Sequence, residues 1–134
     1  MSELKLKIVD FKPGMELKVK GVPKPNIDRF NINVYDSKDN ITLHFDARFN
    51  YGNSHRVIVL DSRKNGRWQD AVEDGNFPFE WGKEFEVTIT FADDNFYINP
   101  HNGHVLKFPN RLGDKQYDYI SIEGEVTIRS ICVN

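Results

Sequence analysis

The chain has 134 residues, which suits one domain with a substantial core, and we expect a single domain over residues 1–134. Its formal net charge is −2 with both signs interspersed, and it has no apolar run of transmembrane length, so nucleic-acid binding and membrane insertion are not expected. The start lacks a signal-peptide core and the one cysteine excludes an internal disulfide, which predicts a cytoplasmic protein.

Short segments of alternating polarity follow one another along the chain. Residues 4–9 alternate apolar side chains with lysine, as an edge strand does. Other segments with strand character are 15–21, 29–35, 41–49, 56–61, 85–91, 95–99, 105–108, 119–128 and 128–133. Turn-forming residues separate most of them, and no stretch has helical periodicity. The pattern predicts an all-β fold, an antiparallel β-sandwich of two sheets.

The clearest of these segments is 41–49. Its odd-numbered residues are all apolar, and its even-numbered residues are Thr42, His44, Asp46 and Arg48. Strict alternation predicts one face in the core and the other in water. On the polar face, His44 and Arg48 lie ~13 Å apart, about the length of a disaccharide. Such a strand could bind a polar ligand lying along the sheet, although a merely solvated face has the same pattern.

The next strand extends this polar face. If residues 50–55 form the loop, segment 56–61 pairs back so that Asp46 lies opposite Val59 and His44 opposite Asp61. Directly opposed residues share a face of the sheet. Val59 and Asp61 are therefore predicted beside the histidine and the aspartate.

A second hairpin brings in a tryptophan. Asn65 and Gly66 suit the two central positions of a type I′ turn, which pairs Arg63 with Trp68 and places Trp68 near Asp61. An aromatic ring flanked by a histidine, an arginine and carboxylates suits a sugar, which has an apolar C–H face and a rim of hydroxyls. The alternative is that Trp68 packs in the core or at the sheet edge.

These three segments resemble the sugar-binding motif of galectins, which carry H-x-N-P-R, V-x-N and W-x-x-E-x-R on successive strands. Here the positions read His44-Phe45-Asp46-Ala47-Arg48, Val59-Leu60-Asp61 and Trp68-Gln69-Asp70-Ala71-Val72-Glu73. Phe77-Pro78-Phe79 and Leu106-Lys107-Phe108-Pro109-Asn110-Arg111 also look like galectin segments, so the resemblance covers essentially the whole chain. It implies a jelly-roll sandwich of the galectin and legume-lectin type, and a carbohydrate-binding lectin with neither catalysis nor cofactor.

The resemblance also implies the binding residues, which are His44, Asp46, Arg48, Val59, Asp61, Trp68, Asp70 and Glu73. Five positions depart from the galectin motif: Asp46 and Asp61 replace asparagines, Ala47 a proline, Ala71 a glutamate and Glu73 an arginine. Trp81-Gly82-Lys83-Glu84 is a weaker match to the tryptophan motif, because it follows Phe77-Pro78-Phe79 whereas the galectin motif precedes that segment. We therefore expect Trp81 to pack.

The departures change the available hydrogen bonds. In galectins the histidine, the first asparagine and the arginine contact the axial 4-hydroxyl of galactose, but an aspartate only accepts where an asparagine also donates. Asp46 can also close on Arg48, two residues away on the same face. Three lost hydrogen bonds weaken lactose binding roughly ten- to a thousand-fold. We therefore expect altered or weakened β-galactoside recognition, and a hexose with an equatorial 4-hydroxyl becomes a candidate.

Three other interpretations stay open. One is a structural or protein-interaction module on a galectin scaffold whose sugar site has decayed. Another is a glycosidase, because four carboxylates cluster on the face, but an open sheet does not favour a buried general acid. A cation site is the third, although no loop has calcium-ligand spacing. The carboxylates are Asp46, Asp61, Asp70 and Glu73.

The resemblance implies assembly and location as well. Single-domain galectins pair through strands at their termini, so we expect a two-fold homodimer and a bivalent lectin. The apolar residues offered for that contact are Leu4, Leu6, Ile8, Ile131 and Val133. Galectins also leave cells without a signal peptide, so export is an alternative to cytoplasmic retention.

Overall fold

Twelve β-strands make up the chain in a computed structural model that describes residues 3–101 and 103–134, except for the side chain of Val9. The strands are β1 (Glu3–Phe11), β2 (Glu16–Pro23), β3 (Arg29–Tyr35), β4 (Ile41–Tyr51), β5 (Ser54–Lys64), β6 (Arg67–Trp68), β7 (Val72–Asp74), β8 (Phe85–Ala92), β9 (Asn95–Asn99), β10 (Leu106–Pro109), β11 (Tyr117–Glu123) and β12 (Val126–Val133). No helix occurs within these described ranges. Accordingly, the described part of the chain has no helix that could cross a membrane.

The strands form two antiparallel sheets. The larger sheet has the order β1-β11-β3-β4-β5-β6. Strand β7 also pairs with β5, at residues 58–60. The smaller sheet has the order β10-β9-β8-β2-β12. The predicted antiparallel sandwich of two sheets is thus confirmed, and β1 lies at a sheet edge as its lysine alternation indicated.

Aromatic side chains fill the space between the sheets. Phe30 of the larger sheet stacks on Phe85 of the smaller one with ring centroids 4.8 Å apart. Phe79 meets both rings edge to face. Each of the three side chains is 2% exposed or less. Since burying a phenylalanine stabilises a fold by about 1.5–3 kcal/mol, this cluster fixes how the sheets sit on each other.

Two predicted boundaries were wrong. The loop at 50–55 is a two-residue turn of Gly52 and Asn53, because β4 and β5 extend to Tyr51 and Ser54. The predicted single strand 119–128 is divided at Gly124, whose φ of 112° is unsuited to other residues. A side chain there would also meet the Arg29 carbonyl oxygen at 2.8 Å. This turn sends β11 and β12 into different sheets.

The central strand β4 differs from expectation on its polar face. Its apolar face lies in the core as predicted, with Leu43 and Phe45 fully buried. Thr42 and Asp46 are also fully buried, however, and His44 is only 7% exposed, so that face is not solvated. Neighbouring strands and loops cover this face and provide hydrogen-bonding partners, which offset the free-energy cost of burying its polar groups.

The predicted dimer contacts also need a correction. Ile8 is 8% exposed and belongs to the core. Leu6, Ile131 and Val133 are half-buried and pack against the same core. Only Leu4 of the five proposed residues is an exposed side chain. The apolar faces of the terminal strands therefore serve mainly to close the sandwich.

Candidate functional site

The two hairpins after β3 build one groove on the outer face of the larger sheet. The predicted register is confirmed: Asp46 pairs with Val59, His44 with Asp61 and Arg63 with Trp68. The groove has a volume of about 410 Å³. Its lining residues are Arg29, His44, Arg48, Tyr51, Val59, Asp61, Trp68 and Ala71.

A buried carboxylate at the base of the groove holds two arginines. Oδ2 of Asp46 accepts a hydrogen bond from Nε of Arg48 at 2.8 Å and another from Nη1 of Arg29 at 3.2 Å. Its Oδ1 is buried and accepts no hydrogen bond from the described residues. The predicted closure of Asp46 on Arg48 therefore occurs. Asp46 itself does not line the groove, because these side chains lie over it.

The charge of Asp46 is stabilised by these neighbours. Burial acts to raise the pKa of Asp46, but attraction to His44, Arg48 and Arg29 outweighs it, so the pKa lies below the usual value. The group is therefore an ionised acceptor at neutral pH. It cannot donate a hydrogen bond as the galectin asparagine does.

Arg29 is a site residue that the sequence analysis missed. It lies on β3 directly opposite Arg48 of β4, and both guanidinium groups sit over the ring of Tyr51, at 4.0 and 5.1 Å from its centroid. Arg48 also donates to the Ser54 hydroxyl at 3.1 Å. The signal was present in the sequence, since extending the register to segment 29–35 would have placed an arginine beside Asp46.

His44 is held from two sides. Its Nδ1 donates to Oδ1 of Asn33 at 2.5 Å, and that asparagine in turn donates to Asn31 and to Ser121. Its ring packs against Trp68 with centroids 4.6 Å apart. The imidazole therefore has a fixed orientation, with Nε2 on the side of the groove and 3.8 Å from the Asp46 carboxylate.

Asp61 organises the segment that follows Trp68. Its Oδ1 accepts from the backbone amides of Ser62 and Asp70, at 2.7 and 2.9 Å, and from Nη1 of Arg111 at 3.4 Å. One carboxylate oxygen is thus committed to the protein. Arg111, on the loop after β10, was not predicted as part of this site.

The outer wall of the groove is Trp68, whose side chain is 50% exposed. Ala71 lines the groove beyond it, where galectins have a glutamate, so that wall has no carboxylate. Asp70 and Glu73 are exposed, and neither is among the lining residues in the described part of the chain. Asp70 contributes its backbone amide to Asp61 rather than its own carboxylate.

Trp81 lies in a different cleft and packs as predicted. Its ring stacks on Phe49 with centroids 5.4 Å apart, and its indole N–H donates to the carbonyl of Ile27 at 3.1 Å. The ring therefore anchors the segment before β8 to the loop before β3. It takes no part in the groove that Trp68 walls.

Residues 4–133 match the family described as galactoside-binding lectins. The chain belongs to the galectin family. It is 39% identical over 134 residues to "Galactose-binding lectin l-1" of Anguilla japonica, covering 100% of this chain and 94% of that lectin. Among solved structures, an ancestral congerin superposes with a TM-score of 0.93 at 42% identity, covering 98% and 99% of the two chains. A lactose- and MES-liganded congerin II gives 0.93 at 38% identity, covering 99% and 100%.

The family assignment makes the chain a galectin-like carbohydrate-binding lectin. Its galectin sandwich presents a groove at the strands that carry the three segments of the sugar motif. The unchanged positions His44, Arg48, Val59 and Trp68 all line this groove. So do the altered positions Asp61 and Ala71, whereas Asp46 lies beneath. The frame of the site is therefore that of the family, and the departures concern its hydrogen-bonding groups.

Proposed function

We propose that this galectin binds glycans in the groove beside Trp68, without catalysis, and that its recognition of β-galactosides is altered or weakened. The observation that carries the proposal is the open groove lined by His44, Arg48, Val59 and Trp68, with Asp46 paired to Arg48 and Arg29 beneath it. The groove provides an aromatic platform and polar rims suited to a pyranose. The pairing removes donors that a galactose hydroxyl would otherwise meet.

Binding of some sugar is supported by the groove itself. Trp68 presents half of its surface, and the fixed His44 imidazole and the Arg48 guanidinium line the floor. A congerin II with the same fold binds lactose, so the scaffold supports such a ligand. Val59 adds an apolar contact between the polar groups.

Weakened galactoside binding is supported by how the polar groups are occupied. Arg48 uses its Nε on Asp46, Asp46 offers no donor, and one oxygen of Asp61 already accepts three hydrogen bonds. Each sugar hydrogen bond that is lost costs roughly 0.5–1.5 kcal/mol. We therefore expect lactose to bind roughly ten- to a thousand-fold more weakly than to a galectin with the complete motif. The binding of a hexose with an equatorial 4-hydroxyl would be weakened less than that of lactose.

Glycan-array binding, followed by calorimetry on the strongest ligand, tests the proposal. We expect the parent protein to bind at least one glycan on an array of galactosides, mannosides and glucosides, and the Trp68→Ala variant to bind none. Asp70→Asn is the matched control, because that carboxylate lies outside the groove. If the parent protein binds no glycan on the array, the second candidate is favoured, namely a galectin scaffold whose sugar site has decayed. The closure of Asp46 on two arginines is the observation that supports this alternative.

The absence of catalysis is also part of the proposal. A glycosidase needs a carboxylic acid whose pKa is raised so that it can protonate the leaving group. The pKa of Asp46 is shifted downward instead, and two arginines occupy its Oδ2. Release of chromophore from nitrophenyl galactoside or mannoside would contradict the proposal.

We further propose a two-fold homodimer. β1 and β12 lie at the edges of the two sheets, where unpaired backbone groups are available to a second copy. Leu4 supplies an exposed apolar side chain at that edge. Light scattering at micromolar concentration should give twice the monomer mass. A cytoplasmic location, with export as the alternative, stays a prediction that fractionation of cells and medium would test.

A further inference from the structure

A second cleft opens on the other side of the β4–β5 hairpin from the sugar groove, and we call it the Trp81 cleft. Its volume is about 400 Å³, which is within the range of small-molecule sites. Its lining residues are Phe49, Arg56, Glu80, Trp81 and Lys83, and none of these lines the groove beside Trp68. Phe49 belongs to the core whereas its neighbour Arg48 lines the groove, because successive side chains of a strand lie on opposite faces. The two clefts are therefore separate sites.

Trp81 forms an aromatic wall of this cleft, and its ring is fixed in place. The ring lies against Phe49, with centroids 5.4 Å apart and planes inclined by 25°. The indole N–H donates to the carbonyl oxygen of Ile27 at 3.1 Å. The side chain is nevertheless 45% exposed, so the face turned away from Phe49 is open to a ligand. A platform whose orientation is already set lowers the entropy cost of binding.

Arg56 supplies a positive charge beside that platform. Its guanidinium carbon lies 5.0 Å from the centroid of the Phe77 ring. The side chain is exposed and makes no ion pair within 4.0 Å to any residue that the structure describes. Lys83 adds a second cation, whose ion pair with Glu80 at 3.1 Å joins two exposed side chains and is therefore weak. The lining of the cleft thus has a net positive charge and suits an anion.

The backbone of Arg56 has a conformation that arginine rarely adopts. Its φ is 50°, in the left-handed region, although the residue lies inside β5. Among the described residues, every other non-glycine residue with a positive φ is an aspartate, an asparagine or a histidine, and these types adopt the conformation more readily. Such a backbone costs folding free energy, and strain of this kind clusters at functional sites. The strained arginine therefore points to binding at this cleft.

We propose that the Trp81 cleft binds a small planar aromatic ligand that carries one carboxylate or phosphate group. The ring of the ligand stacks on the open face of Trp81 and extends the stack that begins with Phe49. The anionic group accepts hydrogen bonds from the Arg56 guanidinium, and Lys83 adds a point charge. The inference does not rest on the proposed glycan binding, because the two clefts have no lining residue in common.

The hydrogen-bonding groups of the cleft favour an aromatic ring over a pyranose. A pyranose carries hydroxyls around its rim, and each of them needs a donor or an acceptor. The polar side chains that line the Trp81 cleft are two cations and the carboxylate of Glu80, and the indole N–H is committed to Ile27. A planar aromatic ring needs no such partners at its edge. Its affinity comes from the stacking face and from one charge-assisted contact.

Calorimetry with two matched series of small molecules tests the proposal. Adenosine 5′-monophosphate carries a phosphate and indole-3-acetate a carboxylate, and each is compared with its uncharged counterpart, adenosine or indole-3-acetamide. Ribose 5-phosphate and acetate supply the anion without an aromatic ring. The proteins are the parent and the single variants Arg56→Gln, Trp81→Ala and Trp68→Ala. The matched control is Arg129→Gln, which removes an exposed arginine outside both clefts.

We expect at least one of the two charged aromatic ligands to bind the parent about three- to tenfold more tightly than its uncharged counterpart. The one that binds shows whether the anion is a phosphate or a carboxylate. Arg56→Gln should lose this preference, whereas Arg129→Gln should keep it. Trp81→Ala should lose both the charged and the uncharged ligand, and Trp68→Ala should bind them as the parent does. If Trp81→Ala does not fold, Arg56→Gln decides, because it leaves the aromatic wall in place.

Four results would overturn the inference. The first is that neither charged aromatic ligand binds the parent more tightly than its uncharged counterpart. The second is that ribose 5-phosphate or acetate binds as tightly as the aromatic ligands, because stacking would then contribute nothing. The third is a preference that survives in Arg56→Gln, and the fourth is a loss of binding in Trp68→Ala, which would place the ligand in the sugar groove. The glycan array tests the proposed function separately, so either proposal can fail while the other stands.

Discussion

The Nε–H of Arg48 points along its own strand to Oδ2 of Asp46, 2.8 Å away. The two side chains are two residues apart on the same face of β4, so the bond needs no other element to bring them together. It orients the arginine and at the same time removes one of its donors from the groove.

Replacing Asp46 by asparagine should destabilise the fold. The variant leaves the Arg29 and Arg48 guanidinium groups facing each other without a counter-charge, and neither is fully solvated. We expect the free energy of unfolding to fall by about 1–3 kcal/mol in urea denaturation. Asp70→Asn, which removes an exposed carboxylate, should change it by less than about 0.5 kcal/mol. Equal effects of the two substitutions would mean that the ion pairs contribute nothing measurable.

The same carboxylate should make stability depend on pH. Because the pKa of Asp46 is lowered in the folded state, its contribution is fully present above the unfolded value of about 3.9. It is lost as the pH falls further, through the folded pKa. The difference in unfolding free energy between the parent and Asp46→Asn should therefore shrink as the pH falls below about 4. A difference that grows below that pH would contradict the assigned direction of the shift.

Replacing the two tryptophans one at a time should affect glycan binding and fold stability differently. Trp68→Ala should abolish binding to the glycan found on the array and lower the unfolding free energy by about 1 kcal/mol or less, because half of the side chain is exposed. Trp81 is 45% exposed, but Trp81→Ala should leave binding intact and cost about 2 kcal/mol, since it removes the stack on Phe49 and the bond to the Ile27 carbonyl. Calorimetry and thermal melts of both variants check this. The opposite assignment of effects would move the binding site to the Trp81 cleft.

Restoring the galectin motif should restore lactose binding. The variant Asp46→Asn/Asp61→Asn/Ala71→Glu/Glu73→Arg returns two donors, the bridging carboxylate and its arginine. We expect the affinity for lactose to rise at least roughly tenfold, the equivalent of one or two hydrogen bonds. Affinity for an equatorial 4-hydroxyl sugar should fall in parallel. These effects should be non-additive, because the new glutamate depends on the arginines beside it.

Arg29 provides a control for this series. The quadruple variant leaves it without the carboxylate that it contacts at 3.2 Å, so adding Arg29→Gln should recover stability without reducing the gain in affinity. Calorimetry that gives the same lactose affinity in the parent and in both variants would show that something outside the motif blocks the groove. Tyr51, whose ring lies under Arg29, would then be the next residue to replace.

Local patterns were enough to predict the sandwich and the register of the groove. The hairpin register was right although the loop was predicted too long, because residues 50–55 and the actual turn at Gly52 and Asn53 share one midpoint. The pairing of Arg63 with Trp68 followed in the same way from the turn at Asn65 and Gly66. Registers set by turns depend on neighbours in sequence, which a single chain reveals.

The burial of the polar face of β4 could not be predicted in that way. Part of its cover comes from a distant segment, since Asn110 on the loop after β10 accepts a hydrogen bond from Thr42 across 68 positions of the chain. Alternation shows which residues share a face but not what lies over that face. Arg111 was missed for the same reason, since it reaches Asp61 from 50 residues away in the chain.

The pairing of Asp46 with two arginines has a consequence for how such a lectin changes during evolution. Because Arg29 and Arg48 share one buried carboxylate, loss of Asp46 leaves two arginines without a counter-charge, whereas loss of one arginine leaves a one-to-one ion pair. An ancestor that acquired the second arginine before the aspartate would have passed through a less stable protein, and the opposite order avoids that step. Arg29 should therefore be found among descendants only together with an acidic residue at position 46.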